Sequence, residues 1–379
     1  MTRTDLKWVH RSYAAGSFLS LCVVVASSTH VVYAATVNLH ELQMRAEQGF
    51  VKEQVELAAA YSNGDGVTQD RKLAAYWYEK AAESGDPEAQ NYIGYLYEVG
   101  LGVPANPARA FRWYTLSAAS GLADARLNLG VLYAEGVGVK KDEALAAEYF
   151  QQAADKGDGA GAAYLGTLYY FGIGVKQDKP AAEHWFSIGQ RLHDPTSAYD
   201  LGTLESVTPD HPHDFPKAAK LFRQSAEQGY VPAMHSLGLL LVNHPELKQA
   251  TPQESRILLE TAANAGSWKS SVVLGILARE GRGTAVDYKT AYYHFRVALL
   301  QGGAETEKLI KKDIEIMAAR IGAEDSQTAL SAANTWFEHH SIPLIYVYKE
   351  GAPRRDFPMA GIALAPDGSA GQLLPPSGS

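Results

Sequence analysis

A two-residue marker, an aliphatic residue followed by glycine, returns at a fixed step along this chain. Ile93-Gly94, Leu129-Gly130, Leu165-Gly166, Leu201-Gly202 and Leu237-Gly238 each stand 36 residues after the last. Leu57-Ala58 precedes them by 36 residues and Leu274-Gly275 follows by 37. Repetition at this period means one small supersecondary unit copied many times, each copy burying its apolar face only against its neighbours. The expected product is one elongated stack.

The rest of the unit keeps the same step. Tyr61, Tyr97, Tyr133 and Tyr169 come four residues after the marker, on the same face of a helix. Paired glycines follow at Gly64 and Gly66, Gly100 and Gly102, Gly136 and Gly138, Gly172 and Gly174, and Gly281 and Gly283, which end that helix in a tight turn. Asp70, Asn106, Asp142, Asp178, Asp214 and Asp287 stand next as N-caps of a second helix, with Thr251-Pro252 giving the same start signal one position late in the sixth unit. That helix carries Ala74, Ala110, Ala146, Ala182, Ala218 and Ala291, and four residues beyond each an aromatic: Tyr78, Tyr114, Phe150, Phe186, Phe222 and Phe295. Small residues at one level and rings at the next let two helices interlock. Gly85, Gly121, Gly157, Gly229, Gly266 and Gly302 are expected to close the units.

The spacing therefore predicts seven helix–turn–helix repeats over residues 51–302. Residues 35–50 supply only a second helix and are expected to cap the start. Residues 303–340 are expected to cap the end as two helices, Glu305 to Arg320 and Glu324 to His340. Repeats five and six lack the paired glycines, carrying Val207-Thr208-Pro209-Asp210-His211-Pro212-His213 and Asn243-His244-Pro245, so altered loops are expected there. Residues 341–379 hold six prolines and five glycines; one strand-like segment from Pro343 to Lys349 is expected, and a largely disordered tail beyond it.

Residues 1–34 read as a signal peptide, with Arg3, Lys7 and Arg11 as a basic start, Phe18 to Ala26 as an apolar stretch and Val32-Tyr33-Ala34 as the cleavage pattern. The apolar run is short for a bilayer span, so no stable membrane insertion is expected once it is cleaved. The only cysteine, Cys22, lies inside this segment. The chain is thus expected to be exported, periplasmic or secreted, without disulfides. A net charge of -8 with no Lys/Arg run argues against nucleic acid, whose binding needs a basic face to release counterions.

These residues resemble a known pattern. The order of Leu-Gly, Tyr, Gly-x-Gly-Val, Asp, Ala, an aromatic and a closing Ala-Ala-x-x-Gly, clearest in Ile93 to Gly121 and Leu129 to Gly157, is similar to the Sel-one-like repeat, a longer relative of the tetratricopeptide repeat. The resemblance implies an all-α fold: a right-handed α-solenoid of antiparallel helix pairs, used as an adaptor or scaffold. Bacterial members of the exported type serve in envelope signalling, polysaccharide secretion or host contact. Binding of envelope polysaccharide is one alternative. Another is hydrolysis or binding of penicillin-like or other cell-wall small molecules, linked with cysteine-rich members that carry a disulfide in each repeat; this chain lacks those cysteines.

No catalytic residue, metal ligand set or cofactor is expected. The chain has no Gly-x-Ser-x-Gly, His-Glu-x-x-His, Ser-x-x-Lys or phosphate-loop Gly-Lys-Ser/Thr. His211 and His213, with His193, His235 and His244 in the same half, suit polar loops better than a converging metal shell. His339-His340 reads as a solvated helix end, Gly157, Gly159 and Gly161 as a repeat junction, and Asp142-Glu143 as capping rather than acid–base chemistry. Trp77, Trp113 and Trp185 share one repeat position and read as packing. By the register of the tetratricopeptide relatives, positions two before the marker and two, five and six after it face a concave groove. This selects Asn91, Tyr95, Glu98, Val131, Glu135, Thr167, Tyr170 and Phe171 as the site for a peptide or protein partner.

Overall fold

The computed structural model describes residues 39–207, 213–247 and 251–340, and among these every regular element is an α-helix. The expected signal peptide 1–34, the strand-like segment Pro343 to Lys349 and the rest of the tail, and loop residues Thr208 to Pro212 and 248–250 lie outside the described residues. The described residues divide after Lys179 into two compact units.

The first unit holds α1 (39–47), α2 (Val51–Asn63), α3 (Arg71–Glu83), α4 (Pro87–Val99), α5 (Pro107–Ala119), α6 (Ala123–Glu135), α7 (Glu143–Asp155) and α8 (Gly159–Phe171). From α2 onward each helix packs on the next, so three complete repeats precede α8, the first helix of the fourth. The second unit holds α9 (Lys179–Arg191), α10 (Pro195–Val207), α11 (Phe215–Glu227), α12 (Val231–Asn243), α13 (Pro252–Asn264), α14 (Trp268–Glu280) and α15 (Tyr288–His340). Positive φ angles at Gly303 (61°) and Gly322 (82°) break α15 into three helical pieces, the last two standing where terminal cap helices are expected. The architecture is an α-solenoid of antiparallel helix pairs.

The repeated polar residues build each pair. Asp70 accepts from the backbone N–H of Lys72 and Leu73, Asn106 from Arg109, Asp142 from Leu145 and Asp214 from Lys217, each at 2.9–3.1 Å, capping α3, α5, α7 and α11. The cap residues also tie back to the first helix through their own N–H. Asp70 donates to the Tyr61 carbonyl (2.9 Å), Asn106 to Tyr97 (2.7 Å), Asp142 to Tyr133 (2.8 Å) and Asp178 to Tyr169 (2.8 Å). Asp214 makes the same bond to Glu205 at 2.9 Å, although the fifth repeat has lost its glycine pair. The tie therefore depends on backbone register, and the tyrosine side chain is free for packing.

The marker glycines set how closely the two helices of a pair approach. A Cβ on Gly94 would stand 2.8 Å from the Tyr114 ring, and one on Gly130 2.5 Å from Phe150 Cε1. Gly202 meets Phe222 and Gly275 meets Phe295 in the same way. The ring of the second helix fills the volume the glycine leaves. In the sixth repeat Leu259 takes the ring's place against Gly238 at 2.8 Å. The second glycine of each turn acts between repeats: a Cβ on Gly102 would fall on the Arg71 carbonyl, one on Gly174 on the Glu143 carbonyl, and one on Gly138 2.6 Å from the Pro107 oxygen. The pair thus serves two purposes, ending one helix and seating it on the previous repeat.

Two closing positions depart from expectation. The seventh repeat turns at Gly303 rather than Gly302; Gly302 stays helical, and a Cβ there would collide with Thr306 and Trp268. The fourth repeat closes on His193, which takes a left-handed φ of 61° where Gly85, Gly121 and Gly157 stand in the others. A side chain at that φ is strained by about 1 kcal/mol. The second unit also buries Asp200, 1 % exposed, with neither carboxylate oxygen hydrogen bonded. Burial, and secondarily the nearby Asp194, holds its pKa well above the usual carboxylate range.

Two outcomes follow from this packing. His193→Gly should stabilise the second unit by about 1 kcal/mol, whereas Gly130→Ala should cost the first unit about 1–3 kcal/mol through overpacking against Phe150; denaturant midpoints of the two variants test the signs. Asp200→Asn should raise the thermal midpoint at pH 7. Because the folded pKa of Asp200 is raised, its destabilising effect is largest above that pKa and fades as pH falls toward the unfolded value. The advantage of the variant should shrink on acidification, and a constant advantage would contradict the assignment.

Candidate functional site

The residues selected for a groove lie on three first helices of the first unit: α4, α6 and α8. The structure sorts them into two groups. Asn91 (0 % exposed), Val131 (1 %) and Thr167 (3 %) are buried, so they offer a ligand no surface as the chain stands. The Oδ1 atom of Asn91 accepts from Asn128 Nδ2 at 2.9 Å, joining α4 directly to α6. Thr167 Oγ1 donates to the Ala163 carbonyl of its own helix at 3.0 Å. Asn91 therefore ties two successive first helices together, while Val131 and Thr167 are buried within theirs. The position two after the marker is not uniform: Val131 and Thr167 are buried there, while Tyr95 at the same position of the second repeat is half-buried.

The second group reaches the surface. Tyr95, Glu98, Glu135 and Tyr170 are half-buried, and Phe171 is 36 % exposed. Tyr170 and Phe171 meet edge to face with centroids 4.8 Å apart, and the Lys179 ammonium lies 5.8 Å from the Tyr170 ring centre. Glu98 accepts a 2.8 Å hydrogen bond from the hydroxyl of Tyr114. The Tyr114 ring threads past Gly94 from the second helix, and its polar tip emerges beside Glu98 on α4. In the third repeat the ring is Phe150, without a hydroxyl, and Ala134 stands at the position of Glu98. In the second repeat the buried hydroxyl has its acceptor, and in the third there is no hydroxyl to satisfy.

The structure adds residues that the register did not select. Glu88, Tyr92, Tyr95 and Val99 recur at steps of four, three and four along α4, one stripe of the helix. Glu88 titrates above the usual carboxylate range, first because of partial burial and then because Asp124, at the start of α6, stands close by. Burial raises the Tyr92 hydroxyl, with smaller effects from Glu88, Tyr95 and Asp124. Burial raises Tyr95 as well, aided by Glu98. The face thus gathers carboxylates around two tyrosines, with Tyr92 stacked on Tyr78 at 4.7 Å. The stripe was legible as an i, i+4, i+7 pattern; the approach of Asp124 was not, since it depends on how α6 sits against α4.

Other polar clusters belong to the scaffold. Glu79 on α3 pairs with Arg109 on α5 and accepts from the Tyr97 hydroxyl at 3.1 Å, while the Arg109 guanidinium lies 4.1 Å from the Tyr97 ring centre. That triad clamps one repeat to the next. Asp142 caps α7, Glu143 pairs with Lys141 at 2.7 Å, and Gly157, Gly159 and Gly161 join α7 to α8. Trp77 and Trp113 pack half-buried against the core. Among the described histidines, His235 shares a hydrogen bond with Ser270 (2.9 Å) and His244 with Glu246 (2.9 Å), while His211 lies outside the described residues. His339 and His340 donate to carbonyls one turn back at the exposed helix end. Among the described residues, no three His, Cys, Asp or Glu side chains come together as a metal shell, and no helix is long and apolar enough to cross a membrane.

With this geometry in hand, the chain can be set beside known proteins. The Sel1 repeat family model matches residues 54–86, 87–122, 123–158, 159–189, 195–230 and 273–303, just over half of the chain. The unmatched gap falls on α12 and α13, where the sixth repeat has lost its glycine pair. A Sel1 repeat protein from Oxalobacter formigenes is 31 % identical, with a TM-score of 0.53 over 57 % of this chain and 88 % of that one. The structure of c5321, described as a protective antigen present in uropathogenic Escherichia coli strains displaying an SLR fold, is 21 % identical over 84 % of each chain, with a TM-score of 0.46. Immunity protein Pa5087 from Pseudomonas aeruginosa is 19 % identical over 66 % of this chain and 81 % of that one, with a TM-score of 0.40. No curated protein matches the chain. Proteins built on this repeat are generally interaction scaffolds without catalysis. Six matched repeats, laid on the helix pairs that the marker spacing defines, place the chain in the Sel1 repeat family.

Proposed function

We propose that this chain is an exported scaffold of the bacterial cell envelope that binds a basic segment of a partner protein on the first-helix face of repeats two to four. The observation that carries this reading is the stripe on α4, where Tyr92 and Tyr95 stand among Glu88, Glu98 and Asp124. Tyrosines give a ligand broad contact at little entropic expense, and flanking carboxylates select lysine and arginine. Tyr170 and Phe171 on α8 extend the aromatic surface for a longer segment. Asn91, Val131 and Thr167 are buried and support these helices from within, Asn91 by its bond to Asn128. Export rests on the basic start, apolar stretch and Val32-Tyr33-Ala34 pattern of the first 34 residues.

The raised pKa of Glu88 gives the reading a pH signature. Its negative charge is lost at a higher pH than that of an ordinary glutamate, so affinity for a cationic ligand should begin to fall while unperturbed carboxylates are still ionised. The test is fluorescence anisotropy with a labelled Lys/Tyr-rich peptide and its Glu/Tyr-rich counterpart. The basic peptide should bind and the acidic one should not. Glu88→Lys with Asp124→Lys should weaken binding about a hundredfold, close to 3 kcal/mol, with an unchanged helical spectrum. Binding that ignores the charge reversal, or a face that retains envelope glycan instead of peptide, would sink this assignment.

A further inference from the structure

The sixth repeat departs from the others in three ways that act on one place. Its marker stands 37 residues before the next rather than 36, and α13 begins one position late, behind Thr251. Ser255 and Leu259 occupy the positions that hold an alanine and a ring in the other second helices. The consequence is a looser seat for the next turn. A Cβ on Gly138 would press on the Pro107 carbonyl at 2.6 Å, whereas one on Gly283 would meet only Pro252, at 3.0 Å from its Cβ and 4.0 Å from its Cγ. The turn touches α13 through the Pro252 ring and not through its carbonyl. A cavity of about 740 Å³ lies there, bounded by α12, α13, α14 and the start of α15.

Most of its wall is aliphatic, from Leu241, Leu274, Leu277, Ala278 and Val286. One cation lines it without a carboxylate. Between the turn glycines, repeats two to four carry Leu101, Val137 and Ile173, and the seventh carries Arg282. One guanidinium nitrogen, Nη2, donates to the Val242 carbonyl at 3.2 Å, and among the described residues that is the contact Arg282 makes through its side chain. The other charged groups of the wall are engaged. Arg256 Nε donates to Glu260 at 2.7 Å, and Asp287 caps α15 by accepting from Thr290 N (3.0 Å) and Oγ1 (2.7 Å). His294 completes the lining, and burial holds its imidazole down to about 4, so it is neutral at pH 7.

A half-buried guanidinium facing apolar walls is an incomplete arrangement, since removal of its hydration is not offset by a counter-charge. What completes it is an anion of limited charge. The planar fork matches a carboxylate, and a single free cation beside Asp287 disfavours a phosphate dianion. The volume and walls suit an apolar body of small-molecule size. We propose that this cavity binds a small amphipathic monocarboxylate, with Arg282 holding the carboxylate and Leu241, Leu274 and Leu277 covering the apolar body.

Calorimetric titration of the full chain with octanoate, octanol and octyltrimethylammonium tests this, because the three share a body and differ in the head. Octanoate should bind about tenfold or more tightly than octanol, and the ammonium should not bind. Arg282→Gln should bring octanoate down to the level of octanol. Val286→Trp, at a position 51 % exposed, should block both without disturbing the core. If Arg282→Gln fails to fold because Val242 loses its donor, Arg282→Lys keeps charge and donor but loses the fork, and should narrow the octanoate preference severalfold. Equal binding of octanoate and octanol, no binding of octanoate, or a preference untouched by substitution of Arg282 overturns the proposal.

Discussion

The packing of four repeats hangs on the contact between a marker glycine and the ring that lies over it. Tyr114 over Gly94, Phe150 over Gly130, Phe222 over Gly202 and Phe295 over Gly275 each fill a space that a single methyl group would close. The contact sets the distance between the helices of a pair, and that distance decides which neighbouring positions are buried. Once it is fixed, the amide of the second-helix cap reaches the carbonyl nine residues back, and the second turn glycine seats on the previous repeat. Helices of 13 residues, marginal alone, become stable because each is held on both sides.

Much of this was legible without coordinates. The 36-residue step, the N-cap residues, the turn glycines and the alanine–aromatic pairs each name a physical requirement, and each requirement is met where the residue stands. Gly302 misled because a glycine can be placed for close packing as well as for a turn: a Cβ there would collide with Thr306 and Trp268, and the turn falls at Gly303. His193 was invisible for the opposite reason: nothing in a histidine announces a positive φ. Of the positions expected to face a groove, only some reach the surface. Burial of Asn91, Val131 and Thr167 depends on the closeness of the helices, which a register borrowed from looser relatives does not carry, and the approach of Asp124 to Glu88 is a matter of helix placement.

Function, on this account, lies where the repeats are free to differ. Positions at the interlock hold small residues and one large ring or leucine, so they have little room to vary. The stripe of Glu88, Tyr92 and Tyr95 lies beside that contact, its tyrosines packed in part against the core, and the surface it keeps is the one we propose for a partner. The sixth repeat shows the complementary case. There the ring is replaced by Leu259, the loop is a residue longer, and the loosened seam leaves a cavity with Arg282 in its wall.

The interlock and its backbone tie can be measured directly by amide hydrogen exchange in the native state. The N–H groups of Asp70, Asn106, Asp142 and Asp178 lie just after glycine turns, where unstructured chain would exchange within seconds. Each is bonded to a first-helix carbonyl at 2.7–2.9 Å, and they should exchange as slowly as the helix amides around the marker, slowed together by the opening of a whole repeat. Loss of that protection in Gly130→Ala at Asp142, with Asp70 unaffected, would bear the account out. Fast exchange of these four amides in the unaltered chain would contradict it.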